Sequence, residues 1–511
     1  MQIKPLLHVF CCKQLAQIKA HVLKSSKPHE LNTHLASFVK SHTPQHAFAL
    51  YNQMLQNPNT HNHFTFNYAL KACCLSNSFN YKGQEIHAHV IKSGHFSHTY
   101  IQNSFIHFYV IRNDIVYAYR VFQMIVYPTV VSWTSIISGF SKCGFADDAI
   151  VMFSLMDVDP NANTLVSVLS ACSSLRSLKV GKSVHCYGLK SFDQGNVIFD
   201  NALLHFYVKV GALEDAQYLF DKMPKRDVVS WSTRVGGFVQ WGFCETAINV
   251  FDEMVKRGGV NPNEATIVNL LAACASLGSL SLCEWVHSYV QERYDIPVEG
   301  NVGNALVNSY VKCGSIGKAI RVFKNLRFKD KVSWSTMISG VAMNGLGHHA
   351  LPLFGLMLVN GIAPDDVTFI GLLTACSHAG LVDEGLMVFK AMVDAYGITA
   401  HERHYGCVVD LYARAGRFKE AEDFVRGMGV EPDGPVWSAL VSGCRVHGNE
   451  VMLEQVSRAV VEKGASGGTL ASVSNSYAGS SRWDESTEIR KTMDCLGLKK
   501  MAGCSWIELD V

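Results

Sequence analysis

The sequence predicts an all-α fold, a solenoid of stacked antiparallel helical hairpins, and three recurrences carry that prediction. Val131-Ser132-Trp133, Val229-Ser230-Trp231 and Val332-Ser333-Trp334 return at intervals of 98 and 103 residues. Cys73, Cys172, Cys274 and Cys376 each follow an alanine, 99, 102 and 102 residues apart. Asn103, Asn201 and Asn304 each precede a small residue and an apolar pair, with a tyrosine a few places on. Self-similarity at a fixed period marks a repeat architecture. A super-period of about 101 residues is longer than one helical hairpin needs, and inside it the signals fall 35 or 36, then 31, then 32 to 36 residues apart.

Residues 197–227 illustrate the elements of one unit. Leu203, Leu204, Tyr207 and Val208 share one helical face, and Gly211 is placed to stop that helix. Leu213, Ala216, Leu219, Phe220 and Met223 form the amphipathic stripe of a second helix, which Pro224 ends. Such a pair cannot bury its apolar face alone; stacking on like neighbours supplies the core. The Ala-Cys pairs let helices approach closely, because a reduced cysteine packs as a small hydrophobe.

Composition agrees with a packed array. The 511 residues are 48% hydrophobic and 17% charged, with 13 prolines, which excludes extensive disorder. No apolar run approaches the roughly 18 to 20 residues of a membrane span, so no membrane partner is expected. The net charge of +2 supplies no global field for polyanions. Its distribution is uneven: ten Lys and Arg face two Glu through Asn113, giving +8, and the remainder carries 35 against 41, giving −6.

Local motifs for chemistry fail on spacing. No CxxC occurs among the 16 cysteines, which removes zinc-ribbon and thioredoxin-like readings. Val180-Gly181-Lys182-Ser183 resembles a phosphate loop, but the first glycine of that motif is replaced by Arg176. His87, His185 and His287 recur at 98 and 102 residues, which assigns them to a helix face. His61, His63, His95 and His98 lack acidic or Cys companions at ligand spacing. No catalytic residue, metal or cofactor is expected.

Triplets of 35, 36 and 31 residues resemble the plant pentatricopeptide repeat (PPR) proteins of the PLS type. Val-Ser-Trp opens the first member, Ala-Cys sits in the second, and Lys312-Cys313-Gly314 or Lys209-Val210-Gly211 in the third. The resemblance implies a right-handed α-solenoid of P-L-S triplets. Its repeats are P 28–62, L 63–98, S 99–129, P 130–161, L 162–196, S 197–227, P 228–263, L 264–299, S 300–330, P 331–365, L 366–401 and S 402–433. Residues 1–27 are an N-terminal segment holding a truncated L-type repeat, from the likeness of Gln17–Lys24 to Glu85–Lys92, or a short targeting leader. Residues 434–511 resemble the E extension, with TPR-like helices, through Trp437-Ser438-Ala439-Leu440, Arg482-Trp483-Asp484-Glu485 and Gly503-Cys504-Ser505-Trp506-Ile507-Glu508. Two departures bear on how this tail packs: Gly464 to Ser474 is more polar than the family pattern, and Met501-Ala502 replaces an acidic residue and proline.

The resemblance also implies a function. PPR repeats read about one base each through two or three side chains. The fifth residue faces the base edge, the last residue adjusts the preference, and an apolar second residue, here Val131, Ile198, Val229 and Val332, wedges against the base face. By the family's pairing preference, Thr134 with Asn161 and Ser232 with Asn263 imply adenine. Asn201 with Asp227 and Asn304 with Asp330 imply uracil, Ser335 with Asp365 guanine, and Asn32 with Asn62 a pyrimidine, cytosine first. Asn103 with Thr129 is ambiguous. The L repeats and the last S repeat, Asn67/His98, Val166/Asn196, Val268/Glu299, Ile370/His401 and Gly406/Asp433, remain unread. The implied RNA, 5′ to 3′, is pyrimidine, two unread, A, unread, U, A, unread, U, G, two unread. A polar residue at a helix start also serves as an N-cap, a structural role these pairs share.

In the family a cytidine deaminase domain carries HxE and CxxC; none of the 22 histidines here has Glu two residues on. The implied protein is therefore a site-recognition factor for organellar C-to-U RNA editing and not itself an enzyme. Its implied partners are single-stranded organellar RNA, a separate DYW-type cytidine deaminase and MORF/RIP-type editing factors. Alternatives are an organellar stability, splicing or translation factor, or a protein-binding scaffold. The first 29 residues hold five Lys and no acid, which suits organelle targeting, to the mitochondrion first and the chloroplast second.

Overall fold

The computed structural model of the protein describes residues 28–41, 43–56, 60–75, 80–191, 195–256, 259–293, 295–463 and 467–498. Gln17–Lys24, the leader expected within residues 1–27, Met501-Ala502 and Gly503–Glu508 lie outside them. The described residues form 28 α-helices and no strand. Hairpins open with helices beginning at Pro28, His63, Thr99, Val130, Ala162, Val197, Val228, Glu264, Gly300, Lys331, Asp366 and Glu402. Two more follow, Gly434–His447 with Glu450–Lys463 and Gly467–Gly479 with Trp483–Cys495. The chain divides into two compact units, up to Gly237 and from Phe238 onward.

In the first unit, Val-Ser-Trp combines a cap, a packing ring and an exposed wedge. Thr129 caps helix Val130–Lys142 by a capping box with Ser132, which satisfies donors the helix itself cannot. Trp133 packs edge-on against Phe122 of the preceding helix, centroids 4.8 Å apart, and Trp231 repeats this on Phe220 at 4.8 Å. Six residues past each tryptophan a glycine admits a valine: a methyl on Gly139 would lie 2.5 Å from Val110 and one on Gly237 2.8 Å from Val208. Helix Val197–Val210 stops at Gly211, whose φ of 84° is left-handed, and the Ala212 N–H bonds back to Tyr207 O at 2.9 Å. Its partner helix ends at Lys222, two residues before Pro224.

The L-to-S contact uses glycine as a hole. A methyl on Gly83 would fall 2.0 Å from the Phe108 ring, and one on Gly181 1.9 Å from the Phe206 ring. Gly181 of the phosphate-loop-like stretch is thus a packing residue, and Lys182 pairs with Asp215 at 3.0 Å. One turn further, His87 Nδ1 meets Tyr109 Oη at 2.7 Å and His185 Nδ1 meets Tyr207 Oη at 2.8 Å.

The second unit repeats these devices. Trp334 packs on Phe323 at 5.0 Å, Gly340 admits Val311, and His287 Nδ1 meets Tyr310 Oη at 2.8 Å. Cys283 stands where Gly83 and Gly181 stand, and Ser309 where the phenylalanines stand: the hole is partly filled and the knob cut down. Cys73, Cys172, Cys274 and Cys376 are all buried, and burial pushes their thiols up to about 12, 11, 12 and 11. The described part of the polar stretch, residues 467–474, packs nonetheless. Leu470, Val473 and Tyr477 join a core with Val456 and Val460, and Ser474 Oγ takes Ser486 Oγ at 2.9 Å and Arg490 Nε at 3.0 Å. Among the described residues no helix is long and apolar enough to cross a membrane.

Candidate nucleic-acid interface

In five hairpins the last residue and the fifth residue of the first helix are joined, directly or through one hydroxyl, at the start of the next hairpin. In the first unit Asn32 Nδ2 donates to Asn62 Oδ1 at 2.9 Å, and Thr65 Oγ1 donates to Asn32 Oδ1 at 2.8 Å. Asn201 Nδ2 donates to Asp227 Oδ1 at 3.1 Å, with Ser230 Oγ 2.7 Å from Asn201 Oδ1. Thr164 Oγ1 lies 2.7 Å from Thr134 Oγ1 and 3.0 Å from Asn161 Oδ1. In the second unit Asn304 Nδ2 donates to Asp330 Oδ1 at 3.2 Å, and Ser333 Oγ donates to Asn304 Oδ1 at 2.7 Å. Ser335 Oγ lies 2.8 Å from Thr368 Oγ1, which donates to Asp365 Oδ1 at 2.7 Å. Ser232, whose Oγ donates to Val228 O at 2.6 Å, and Asn263 fall in different units.

The last residues are caps. Asn62, Thr129, Asn161, Asn263, Asp330 and Asp365 each form a capping box with the residue three places on, and Ser230 N donates to Asp227 Oδ1 at 2.9 Å. The cap fixes direction. A helix N-terminus offers only donors, so an asparagine must turn its oxygen inward and its amide nitrogen away. Asn161 thereby presents a donor. Asp227 and Asp330 use Oδ1 for the cap and the Asn amide, leaving Oδ2, an acceptor, outside this set. Burial by itself would push the Asp330 carboxyl up, but hydrogen bonds from Ser333, Asn304 and the Val332 backbone outweigh it and hold the group below the ordinary 3.8. Asp227 and Asp365 are depressed in the same way, Asp365 with help from Lys331, 3.3 Å from its Oδ2.

The fifth residues do not stand out as an open row: Asn32, Ser232, Asn304 and Ser335 are 6, 8, 7 and 4% exposed, and Thr134, Asn201 and Asn103 are half-buried. The polar atoms of Asn32, Thr134, Asn201, Asn304 and Ser335 are drawn down onto the next cap or its hydroxyl. The exposed groups are the apolar second residues, Val131, Ile198, Val229 and Val332, joined by Phe64, Tyr100 and Val367. Two clefts in the first unit combine both kinds. One, of about 460 Å³, is lined by Asn32, Asn62, His29, Phe64 and Lys40; the other, of about 220 Å³, by Asn103, Tyr100, Val131, Lys71 and His107.

The L hairpins differ. Asn67 is buried and its Oδ1 accepts from Ser104 Oγ at 2.7 Å, while Val166, Val268 and Ile370 are half-buried at the same place; in the last S hairpin Gly406 is buried there. The residues missed from sequence are the relay hydroxyls Thr65, Thr164, Ser230, Ser333 and Thr368. Their signal was available: each is a Ser or Thr three places after a capping residue. The recurrent histidines are held to tyrosines, as the helix-face reading required, and burial keeps His87, His185 and His287 below the ordinary 6.5.

Comparison with known proteins places this arrangement. PPR repeat profiles match residues 131–159, 201–228, 229–259, 304–330, 367–395 and 403–431, a PPR repeat family profile matches 329–378, and an E motif profile matches 460–508. The chain is 37% identical over 442 residues to a mitochondrial pentatricopeptide repeat-containing protein of Arabidopsis thaliana, covering 86% of this chain and 69% of the relative. It is 35% identical over 515 residues to a chloroplastic one, covering 94% and 69%. A third from the same plant is 35% identical over 480 residues, covering 93% and 86%. Crystal structures of PPR10 from maize, alone and in complex with an 18-nt psaJ RNA element, share the solenoid fold at TM-scores of 0.53 and 0.55. Their identities are 17 and 16%; the first covers 94% of this chain and 75% of PPR10, the second 92% and 84%. The capped hairpins, their alternating lengths and these likenesses agree: the chain belongs to the pentatricopeptide repeat proteins, and its E motif fits the E subgroup of that family.

Proposed function

We propose that this chain is a sequence-specific single-stranded RNA-binding protein that selects sites for C-to-U editing of organellar transcripts, while a separate deaminase supplies the chemistry. The observation that carries the RNA reading is the pair of clefts in the first unit, each floored by a fifth-position asparagine and flanked by exposed second residues. A slot of that kind takes the edge of an unstacked base and leaves its faces to the flanking side chains, which a duplex does not permit. The pairs assigned to RNA binding are Asn32/Asn62, Asn103/Thr129, Thr134/Asn161, Asn201/Asp227, Ser232/Asn263, Asn304/Asp330 and Ser335/Asp365, of which Asn103/Thr129 carries no assigned base. In each, the cap holds the last residue so that it offers a donor or an acceptor, which supports discrimination by base edge.

The E motif supports the editing role, and residues 434–511 are assigned to recruiting the deaminase and its MORF/RIP-type companions. With no HxE and no CxxC in the sequence, these residues hold no zinc-deaminase site of their own. Mitochondrial and chloroplastic relatives support an organellar location, the mitochondrion first. Sequencing organellar transcripts from a line lacking this gene tests the proposal: one or a few cytidines stay unconverted. Full conversion with an unstable, unspliced or untranslated transcript would replace editing by another RNA role. Failure to bind single-stranded RNA at moderate salt would return the array to a protein scaffold.

A further inference from the structure

The contact between hairpins 264–299 and 300–330 departs from its two sisters at three places together. Cys283 replaces Gly83 and Gly181, Ser309 replaces Phe108 and Phe206, and Cys313 replaces Arg112 and Val210. Cys313 ends helix Gly300–Lys312, and its Sγ lies 3.4 Å from Ser279 O and 3.8 Å from Cys274 O. The Cys283 N–H is bonded to that same Ser279 oxygen, at 3.3 Å. A helical side chain leans back over the turn that precedes it, so the Cys283 thiol is directed to where Cys313 Sγ sits. The two thiols share a hydrogen bond, which together with burial pushes the Cys283 thiol up.

A structural duty accounts for Cys313 but not for the pair. In the first unit Arg112 Nη2 donates to Cys73 O at 2.8 Å, and Cys313 meets the carbonyl of Cys274, the equivalent residue, with a thiol. That duty needs no second sulfur, yet one stands in the hole that faces the missing phenylalanine ring. The two sulfurs are unequally placed. Cys283 is wholly buried and Cys313 is half-buried, so an oxidant reaches Cys313 first.

We infer that Cys283 and Cys313 form a dithiol that a peroxide closes to a disulfide, stapling hairpin 264–299 to hairpin 300–330. The Cys313 sulfur attacks one peroxide oxygen, the O–O bond breaks, and the departing hydroxide leaves as water with the thiol proton, giving a sulfenic acid. The Cys283 sulfur then attacks the Cys313 sulfur, the S–O bond breaks, and the Cys283 proton departs with that hydroxyl as a second water. Both sulfurs are oxidised and the peroxide is reduced. Curvature in a solenoid is set by the small rotation between neighbouring repeats, and the staple fixes that rotation at this joint. The inference goes beyond the RNA reading and stands without it.

The test uses the full chain, reduced and then freed of reductant. It is treated with hydrogen peroxide, unfolded in N-ethylmaleimide, digested and mapped by mass spectrometry. The expected product is a peptide pair joined through Cys283 and Cys313, which a dithiol reductant separates. In the joined form, amide exchange over 280–291 and 300–313 should slow by at least about tenfold. Cys274→Ala should form the same pair, whereas Cys283→Ala should stop at a Cys313 sulfenic acid that dimedone traps, with no slowing. Alkylation of both Cys283 and Cys313 after exposed Cys186 and Cys495 have been oxidised overturns the inference, as does Cys313 joined to Cys274 or left as a sulfenic acid in the parent. Unchanged exchange in the joined form overturns the staple. The peptide map of the parent decides by itself even where a variant fails to fold, and none of these readouts involves RNA.

Discussion

Replacing Gly181 by alanine sets two known effects against each other. Helix propensity favours alanine over glycine by about 1 kcal/mol. Against that, the new methyl would lie 1.9 Å from Phe206 Cζ and within 2.4 and 2.5 Å of the neighbouring ring carbons. The ring is wholly buried, so it must shift by more than an ångström or push the helices apart, and overpacking of that kind costs about 1 to 3 kcal/mol. At the upper end of that range, Gly181→Ala loses about 2 kcal/mol net. Phe206→Ala alone costs about 3 to 5 kcal/mol, but in its background Gly181→Ala should be neutral or stabilising, a coupling of about 3 kcal/mol. The transplant Gly181→Cys with Phe206→Ser, copying Cys283 and Ser309, should likewise exceed the sum of its single changes in stability. Urea titration of the full chain by circular dichroism gives the midpoints, and amide exchange over 178–191 locates the change, because a solenoid loosens through neighbouring repeats. Gly317→Ala is the control: no atom lies within 4 Å of the new methyl, so it should gain up to about 1 kcal/mol. An equal loss from Gly181→Ala with and without the ring would refute the knob-and-hole account.

Three further outcomes follow from the same geometry. His87, His185 and His287 are held below 6.5 by burial, so the unfolded chain protonates first; stability is whole above about 6.5 and falls as pH drops through that value. Melting at pH 5.5 should come below that at 7.5, and His287→Gln should reduce the difference; identical melts would contradict this. Asp330→Ala removes the cap on helix Lys331–Met343 and the anchor of Asn304, and should cost about 1 to 2 kcal/mol in urea unfolding, whereas Asp330→Asn should keep most of it. Because its carboxyl is depressed, the stability Asp330 contributes is present above 3.8 and lost as pH falls below it. Cys73, Cys172, Cys274 and Cys376, buried with raised thiols, should resist a thiol reagent in the native state, while exposed Cys186 and Cys495 react at once; native labelling of the four at the same rate would show a looser array.

Much of this was legible without coordinates because the determinants are local. Val-Ser-Trp specifies an exposed wedge, a reciprocal cap and a ring for the neighbouring helix within three consecutive residues, so its recurrence announces the hairpin. Gly211 and Pro224 mark the ends of their helices for backbone reasons that hold anywhere. The recurrence of His87, His185 and His287 likewise excluded a singular catalytic role, though not which atom each would meet. The site was legible only in part. A fifth-position asparagine looks like a free reading group in sequence; its commitment to the next cap depends on a residue about thirty places on, and nothing local to Asn201 reveals Ser230.

By itself, then, the chain's order of residues settled the class of fold and the identity of the caps, since these follow from periodicity and from what each side chain can donate or accept. Tertiary structure alone decided that Gly181 is a hole for Phe206, that Asn67 is lost to Ser104, and that Asn201 and Asn304 are pinned. Each of those depends on which atoms from different hairpins come within about 3 Å, a distance that stacking sets and spacing along the chain does not.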